Sequence, residues 1–161
     1  MNITLKNVKF AEFASQETNC FEATVYIDGK RAGVASNEGH GGCNNYYPNT
    51  LCAILDEHAE TLPPIVSRYL DGNGKPMVLE HDADTLIGDL FDYWLQSRDL
   101  KKSLAKSILF IGEDGKLWRS KQTDLNAALS HPDISQKLKA KQILNLMPFD
   151  AALSIYQGAT T

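Results

Sequence analysis

The sequence predicts an α+β fold: an antiparallel sheet, built from an N-terminal three-stranded meander and a second hairpin, covered by several helices. Three observations carry that expectation. Phe21, Ala23, Val25 and Ile27 alternate with Glu22, Thr24 and Tyr26, the period of a half-buried strand, and Asp28-Gly29 then supplies the backbone freedom of a tight hairpin. Further on, Leu86, Leu90 and Trp94 run beside Ile87, Phe91 and Leu95 at four-residue spacing, which makes a broad apolar stripe on one helix. The order β-β-β-α-β-α-β-β-α-α-α lacks the alternating βα units of a doubly wound parallel sheet.

The elements follow in order. Ile3 to Phe10 reads as a first strand whose apolar phase changes between Leu5 and Val8, which predicts a bulge. Phe21 to Ile27 and Arg31 to Ser36 complete the meander. After a glycine- and asparagine-rich run, Asn49 or Thr50 caps a helix whose Leu51, Ile54, Leu55 and His58 share a face, and Pro63-Pro64 stops it. Ile65 to Leu70 is expected as a short turn of helix, Asp71-Gly72-Asn73-Gly74 as a turn, and Pro76 to Glu80 as a short strand. Asp82 or Asp84 caps the striped helix, with a break expected near Ser97 to Asp99 before it resumes through Leu104. Ile108 to Ile111 and Lys116 to Arg119 form the second hairpin around Gly112-Glu113-Asp114-Gly115; helices then follow over about 124–129, 134–146 and 149–156. One globular domain over 1–161 is expected, with a smaller helical lobe over 120–161 as an option.

Composition bounds the class. The longest apolar runs are far short of the roughly 20 residues that cross a bilayer, and the start MNITLKNVKF lacks a signal-peptide pattern, so a cytoplasmic protein without membrane contact is expected. Cys20, Cys43 and Cys52 are odd in number and lack scaffold spacing, which predicts free thiols. The net charge of −4 is unevenly spread: residues 1–94 hold 6 Lys and Arg against 14 Asp and Glu, and residues 95–145 hold 10 against 5. The basic segment, with Tyr93 or Trp118 as stacking platforms, is the one route to nucleic acid; the overall pI of about 5.5 weighs against it, and solvated helix and hairpin faces explain it equally well.

The run SNEGHGGCNNYYPNT, residues 36–50, is the candidate site: Asn37, Gly39, His40, Gly41, Gly42, Cys43, Asn44, Asn45, Tyr46 and Tyr47. Its glycines and asparagines relieve the penalty on left-handed backbone angles, so the chain can turn tightly and expose amides to an anion, above all if it leads into the helix near Thr50. The alternative is an ordered connector with Asx turns, Tyr46 and Tyr47 plugging the sheet edge. No Gly-Lys-Ser/Thr ending follows, which argues against a Walker-type nucleotide loop, and no cofactor is expected. His40 and Cys43, with Cys52 and His58, have zinc's donor types but not its usual spacing. Cys43 before a helix is also a candidate nucleophile of lowered pKa, with His40, His81 or His131 as base. Glu80-His81-Asp82-Ala83-Asp84 reads either as a divalent-cation or acid–base cluster or as a solvated helix cap.

FEATVYIDGKRAGVASN followed by EGHGGCNNYYP resembles a group of small accessory proteins carried by bacteriophages, prophages and plasmids, which share a hairpin and an Asn-x-Gly-x-Gly-Gly-x-Asn run. The likeness covers about residues 20–48 and brings no activity with it. It implies an accessory product that binds a host or phage protein and inhibits or adapts it. The leading expectation is therefore a small protein-binding module that uses the 37–47 loop and part of the acidic N-terminal region, because rigid tyrosines beside adaptable amides suit recognition. The rival is a small-ligand- or metal-binding protein, or a hydrolase or transferase, working through His40 and Cys43.

Overall fold

The computed structural model describes residues 1–160 and is α+β, with antiparallel sheets and helices in two compact units, Met1–Asp92 and Tyr93–Thr161. Sequence alone placed the start of an optional lobe at 120; the units divide inside the long helix.

In the first unit, β1 (Ile3–Phe10), β2 (Phe21–Ile27), β3 (Lys30–Asn37) and β4 (Asn45–Tyr47) form one antiparallel sheet in chain order. The meander thus gains a fourth strand from within the glycine-rich run, pairing Val34 with Tyr47 and Ser36 with Asn45. The expected irregularity in β1 is present: the register shifts between Lys6 and Lys9, and Asn7 takes φ 51°. Asp28 and Gly29, at φ 49° and 79°, make the β2–β3 turn. Alternation sends Phe21, Ala23 and Val25 inward, where α1 (Thr50–Ala59) adds Leu51, Leu55 and Ala59. The buried stripe of α1 runs at i, i+4, i+8, so Ile54, expected inside, is exposed instead. The first turns of α2 (Ala83–Leu104) add Ala83, Ile87 and Phe91.

Ile65–Leu70 is a strand, β5, rather than the helical turn expected, and it pairs with β6 (Pro76–Leu79) as a separate two-stranded sheet. The physical reason lies in the turn. Asp71 accepts the amides of Asn73 and Lys75 at 2.8 and 2.9 Å, and this local closure sets two β-branched and aromatic runs antiparallel. Those two amides also hold the Asp71 carboxyl below the usual carboxylate range, the Lys75 amide first.

In the second unit α2 continues to Leu104 without the expected break, since Ser97, Arg98 and Asp99 all fit a helix interior and no glycine or proline intervenes. The hairpin of β7 (Ile108–Gly112) and β8 (Leu117–Ser120) does not join the meander; it forms a three-stranded sheet in the order β8-β7-β9, with β9 at Ala140–Ile143. Strand β7 is buried on both faces. Leu109 packs with Leu100, Leu144, Ala152 and Leu153, partly from α5 (Phe149–Thr160), while Ile108 and Phe110 pack with Ile134 and Ile143. Two short helices, α3 (Leu125–Leu129) and α4 (Ile134–Leu138), cover the second of these faces. Residues 139–146, expected as the end of a long helix, turn at Lys139 (φ 50°) into β9. Asn145 then ties the unit together by donating to the carbonyls of Leu104 and Ser107 and accepting the Leu109 amide.

Candidate functional site

The 36–50 run folds inward. Asn37 ends β3 with a side chain only 6% exposed, and both ends of that side chain are used. Its Oδ1 accepts from the Thr18 hydroxyl at 2.6 Å and the Gly39 amide at 2.9 Å; its Nδ2 donates to the Gly42 carbonyl at 3.3 Å and to Asn44 Oδ1 at 3.2 Å. Thr18 in turn accepts the Gly41 amide at 3.2 Å. The Gly39 carbonyl receives the amides of Gln16 and Glu17 at 2.9 and 3.1 Å, so the β1–β2 connector and the glycine-rich run are laced to one another.

Gly39 is required at that crossing twice over. Its φ is +88°, and an added Cβ would crowd the Ala14 carbonyl and stand 2.9 Å from the Cys20 Cβ. Gly39→Ala is expected to destabilise the first unit by about 1–3 kcal/mol, read as a lower urea midpoint at unchanged slope.

The far side of the run is anchored on α2. Asp84 Oδ1 accepts the Asn44 amide at 3.1 Å and the Tyr46 hydroxyl at 2.7 Å. Three of the loop amides that could await an anion are engaged within the chain: Gly39 on Asn37, Gly41 on Thr18, and Asn44 on the chain's own carboxylate. Within the run, the glycine-rich part up to Asn44 is separated from the N-terminus of α1 by β4 and Pro48. Asp82, not Asp84, caps α2 by accepting both the amide and the hydroxyl of Thr85, and these bonds lower its carboxyl pKa. Asp56 of α1 takes the Ala83 amide at 2.7 Å. The Glu80–Asp84 segment therefore acts as cap and anchor.

The two tyrosines part company. Tyr46 is half-buried against Asp84, and its phenol pKa is pushed strongly up, first by burial and then by the hydrogen bond to that carboxylate. A raised pKa means that the folded form holds this proton more tightly. Its contribution to stability is full below the ordinary tyrosine range, about pH 10, and is lost as pH rises through the folded value. In an alkaline absorbance titration of the six tyrosines, one phenol should ionise only with unfolding. Tyr47, by contrast, is 76% exposed at the sheet edge. His40, Gly42, Cys43 and Asn45 also face outward.

Cys43 is exposed, but its thiol pKa is raised, not lowered as a nucleophile requires, because Asp84 hydrogen-bonds the thiol and opposes the thiolate's charge. Its alkylation should follow a pH midpoint above that of the same cysteine in the unfolded chain. Cys52 is raised too, by burial and by Asp56, whose Oδ2 lies 3.5 Å from its sulfur. The four donors weighed for zinc are not assembled: no group of three or more His, Cys, Asp or Glu side chains comes together in a metal-holding arrangement among the described residues. His58 lies instead on α1 beside Thr61. In the basic segment, Trp118 is half-exposed but gives its indole N–H to Asp114 at 3.1 Å, which sets a carboxylate at the edge of the would-be stacking platform.

Sequence reasoning missed Thr18 and Asp56, for which local pattern gives no signal, and it missed the β5–β6 hairpin, for which it does. No helix among the described residues is long and apolar enough to cross a membrane. Comparison of the chain with protein-family profiles, curated proteins and solved structures gives no match.

Proposed function

We propose that the protein is a cytoplasmic protein-binding module, of the accessory kind through which a mobile element blocks or adapts a host protein, and that it grips its partner with the β5–β6 hairpin. The observation that carries this reading is the hairpin's surface. Cross-strand partners Val66 and Val78 are 69% and 60% exposed, and Leu70, Tyr69, Met77 and Leu79 are exposed as well. By strand alternation Val66, Leu70 and Val78 share one face, with Met77 and Leu79 on the other, so apolar side chains stand out on both. A lone two-stranded hairpin is marginal in water, and contiguous exposed apolar surface is the mark of a docking site. Its outer strand edges are also open to pairing with an extended segment of another chain.

The mobile-element setting is supported by the resemblance of the β2–β3 hairpin and the Asn-x-Gly-x-Gly-Gly-x-Asn run alone, which does not extend to β5 and β6. The glycine-rich run, laced internally, serves as scaffold in this reading and offers Tyr47 as an outward aromatic side chain. The enzymatic alternative draws no support from Cys43, which is held as a thiol.

The test immobilises the wild type, the double variant Val66→Lys/Val78→Lys and Tyr47→Ala, and exposes each to bacterial lysate. A partner held by the wild type and Tyr47→Ala but lost from the double variant, with melting temperatures unchanged, is the expected result. Retention by the double variant, or loss only on Tyr47→Ala, would move the contact surface off the hairpin. Sedimentation of the wild type alone separates a foreign partner from a second copy.

A further inference from the structure

Two adjoining clefts open on the second unit beside the β7–β8 turn. The first, of about 360 Å³, lies between Trp118 and the end of α4, with Glu113 and Lys139 among its lining. The second, of about 390 Å³, adds Ser135, Gln136 and Lys141. Glu113 and Lys139 line both, so they stand where the two clefts meet.

The tryptophan is held as a wall, not packed as a core ring. Its cross-strand partner Phe110 is buried, yet Trp118 is 52% exposed. The indole N–H is fixed on Asp114 at 3.1 Å, and the ring edge lies against Gly112, where an added Cβ would stand 2.9 Å from the indole Cδ1. The ring is thus set in one orientation before any ligand arrives, which lowers the entropy cost of stacking on it.

The second cleft has a different chemistry. Lys139 and Lys141 bring two ammonium groups against the single carboxylate of Glu113, and none of the three has an ion-pair partner among the described residues. Asp114 lines only the first cleft. Lys139 takes the left-handed position that ends α4, φ 50°, where the backbone favours glycine or asparagine, so the turn itself does not call for a lysine. Residues 93–161 hold 10 Lys and Arg against 6 Asp and Glu, a local excess of positive charge that the whole-chain pI of about 5.5 conceals.

We propose that the joined clefts bind a ribonucleotide unit, with the base stacked on Trp118, the phosphate between Lys139 and Lys141, and the ribose at the crossing, where Glu113 accepts its hydroxyls. Aromatic wall, shared acceptor and paired cations follow one another in the order of base, sugar and phosphate. A bare polyanion would use neither the tryptophan nor Glu113, and an apolar ligand would use neither lysine. Asp114 is occupied by the indole and by the Lys116 amide, and the phosphate goes to the cleft that lacks it. A free nucleotide and one residue of single-stranded RNA offer the same chemistry. This inference is independent of the hairpin reading.

The experiment titrates the intact protein with adenosine 5′-monophosphate and with hexa-adenylate, and follows amide shifts by NMR and quenching of tryptophan fluorescence. Expected are shifts centred on Glu113, Trp118, Lys139 and Lys141, and quenching that Trp118→Ala abolishes. Binding should weaken about ten-fold for Trp118→Ala, as suits the loss of one base stack. It should weaken about three-fold for Lys141→Ala and for deoxyadenosine monophosphate, which lose one exposed ion pair and one hydrogen bond respectively. Hexa-adenylate binding ten-fold tighter than the monophosphate assigns the site to single-stranded RNA, and equal affinity assigns it to the free nucleotide. Lys106→Ala, an exposed lysine just after α2 that lines neither cleft, should leave binding unchanged. Absence of binding by both probes, equal binding of ribose 5-phosphate, or equal weakening by Lys106→Ala and Lys141→Ala would each overturn the proposal. Lys141 is exposed, so its variant keeps the test decisive even where Trp118→Ala disturbs the hairpin.

Discussion

Phe91→Ala is expected to lower the unfolding free energy by about 3–5 kcal/mol, the range for deleting a fully buried aromatic ring. Phe91 is 1% exposed; it stacks on Phe21 at 4.4 Å and meets Phe10 edge-on at 5.5 Å, so one truncation removes the ring that joins α2 to two strands of the meander. Since small domains are stable by only about 5–15 kcal/mol, the first unit would stand near its folding limit. Urea unfolding followed by far-ultraviolet circular dichroism measures it. A loss under 1 kcal/mol would mean that α2 does not pack on the sheet as described. Phe91→Leu, which restores most of the volume, should recover more than half of the loss.

Asn37→Ala is the second large effect, about 3 kcal/mol, and it has a different origin. Little apolar area is lost. The change strips partners from the Thr18 hydroxyl, the Gly39 amide, the Gly42 carbonyl and Asn44; the buried Gly39 amide left without a partner costs about 1–3 kcal/mol, and the part-buried groups add less because water reaches them. Asn37→Asp separates the two halves of the role. It keeps the acceptor for Thr18 and Gly39 but loses the donor to Gly42 and Asn44, and so should fall between wild type and alanine. If both variants melt with the wild type, the run is not held by this residue.

Much of the fold was legible because local signals agreed with tertiary demand. The period-two run from Phe21, the Asp28-Gly29 turn and the stripe on α2 each point to one structure, and each is present. Some of the misreadings fell where a partner distant in sequence decides. The pairing of Asn45–Tyr47 with Val34–Ser36 agrees with the sheet-edge option read for Tyr46 and Tyr47, though the strand itself was not expected, whereas residues 139–146 become strand and turn because β7 offers them an edge. The hairpin at 65–79 could have been read, since Asp71-Gly72-Asn73-Gly74 between IVSRYL and PMVL is a turn between two strand-forming runs.

At the candidate site, the sequence drew attention to the right residues for a reason the structure redirects. Asparagine and glycine richness marks a chain that must turn tightly, and such a chain serves recognition or internal lacing equally well. The deciding residues, Thr18 and Asp84, lie 19 and 47 positions from Asn37 in the chain, beyond the reach of any local motif. The same distance explains Cys43: beside a helix in sequence it suggested an activated thiolate, yet in space its neighbour is a carboxylate.

Hydrogen exchange of the free protein, resolved by residue, tests the central claim that the glycine-rich run is an internal scaffold while the outward hairpin is left for a partner. The amides of Gly39, Gly41 and Asn44 should be protected nearly as well as those of β2 and β3, and the amides of β5 and β6 should exchange far faster. Fast exchange at Gly39, Gly41 and Asn44 beside a well-protected hairpin would contradict the account, returning the run to the role of a free recognition loop and the hairpin to that of a structural element.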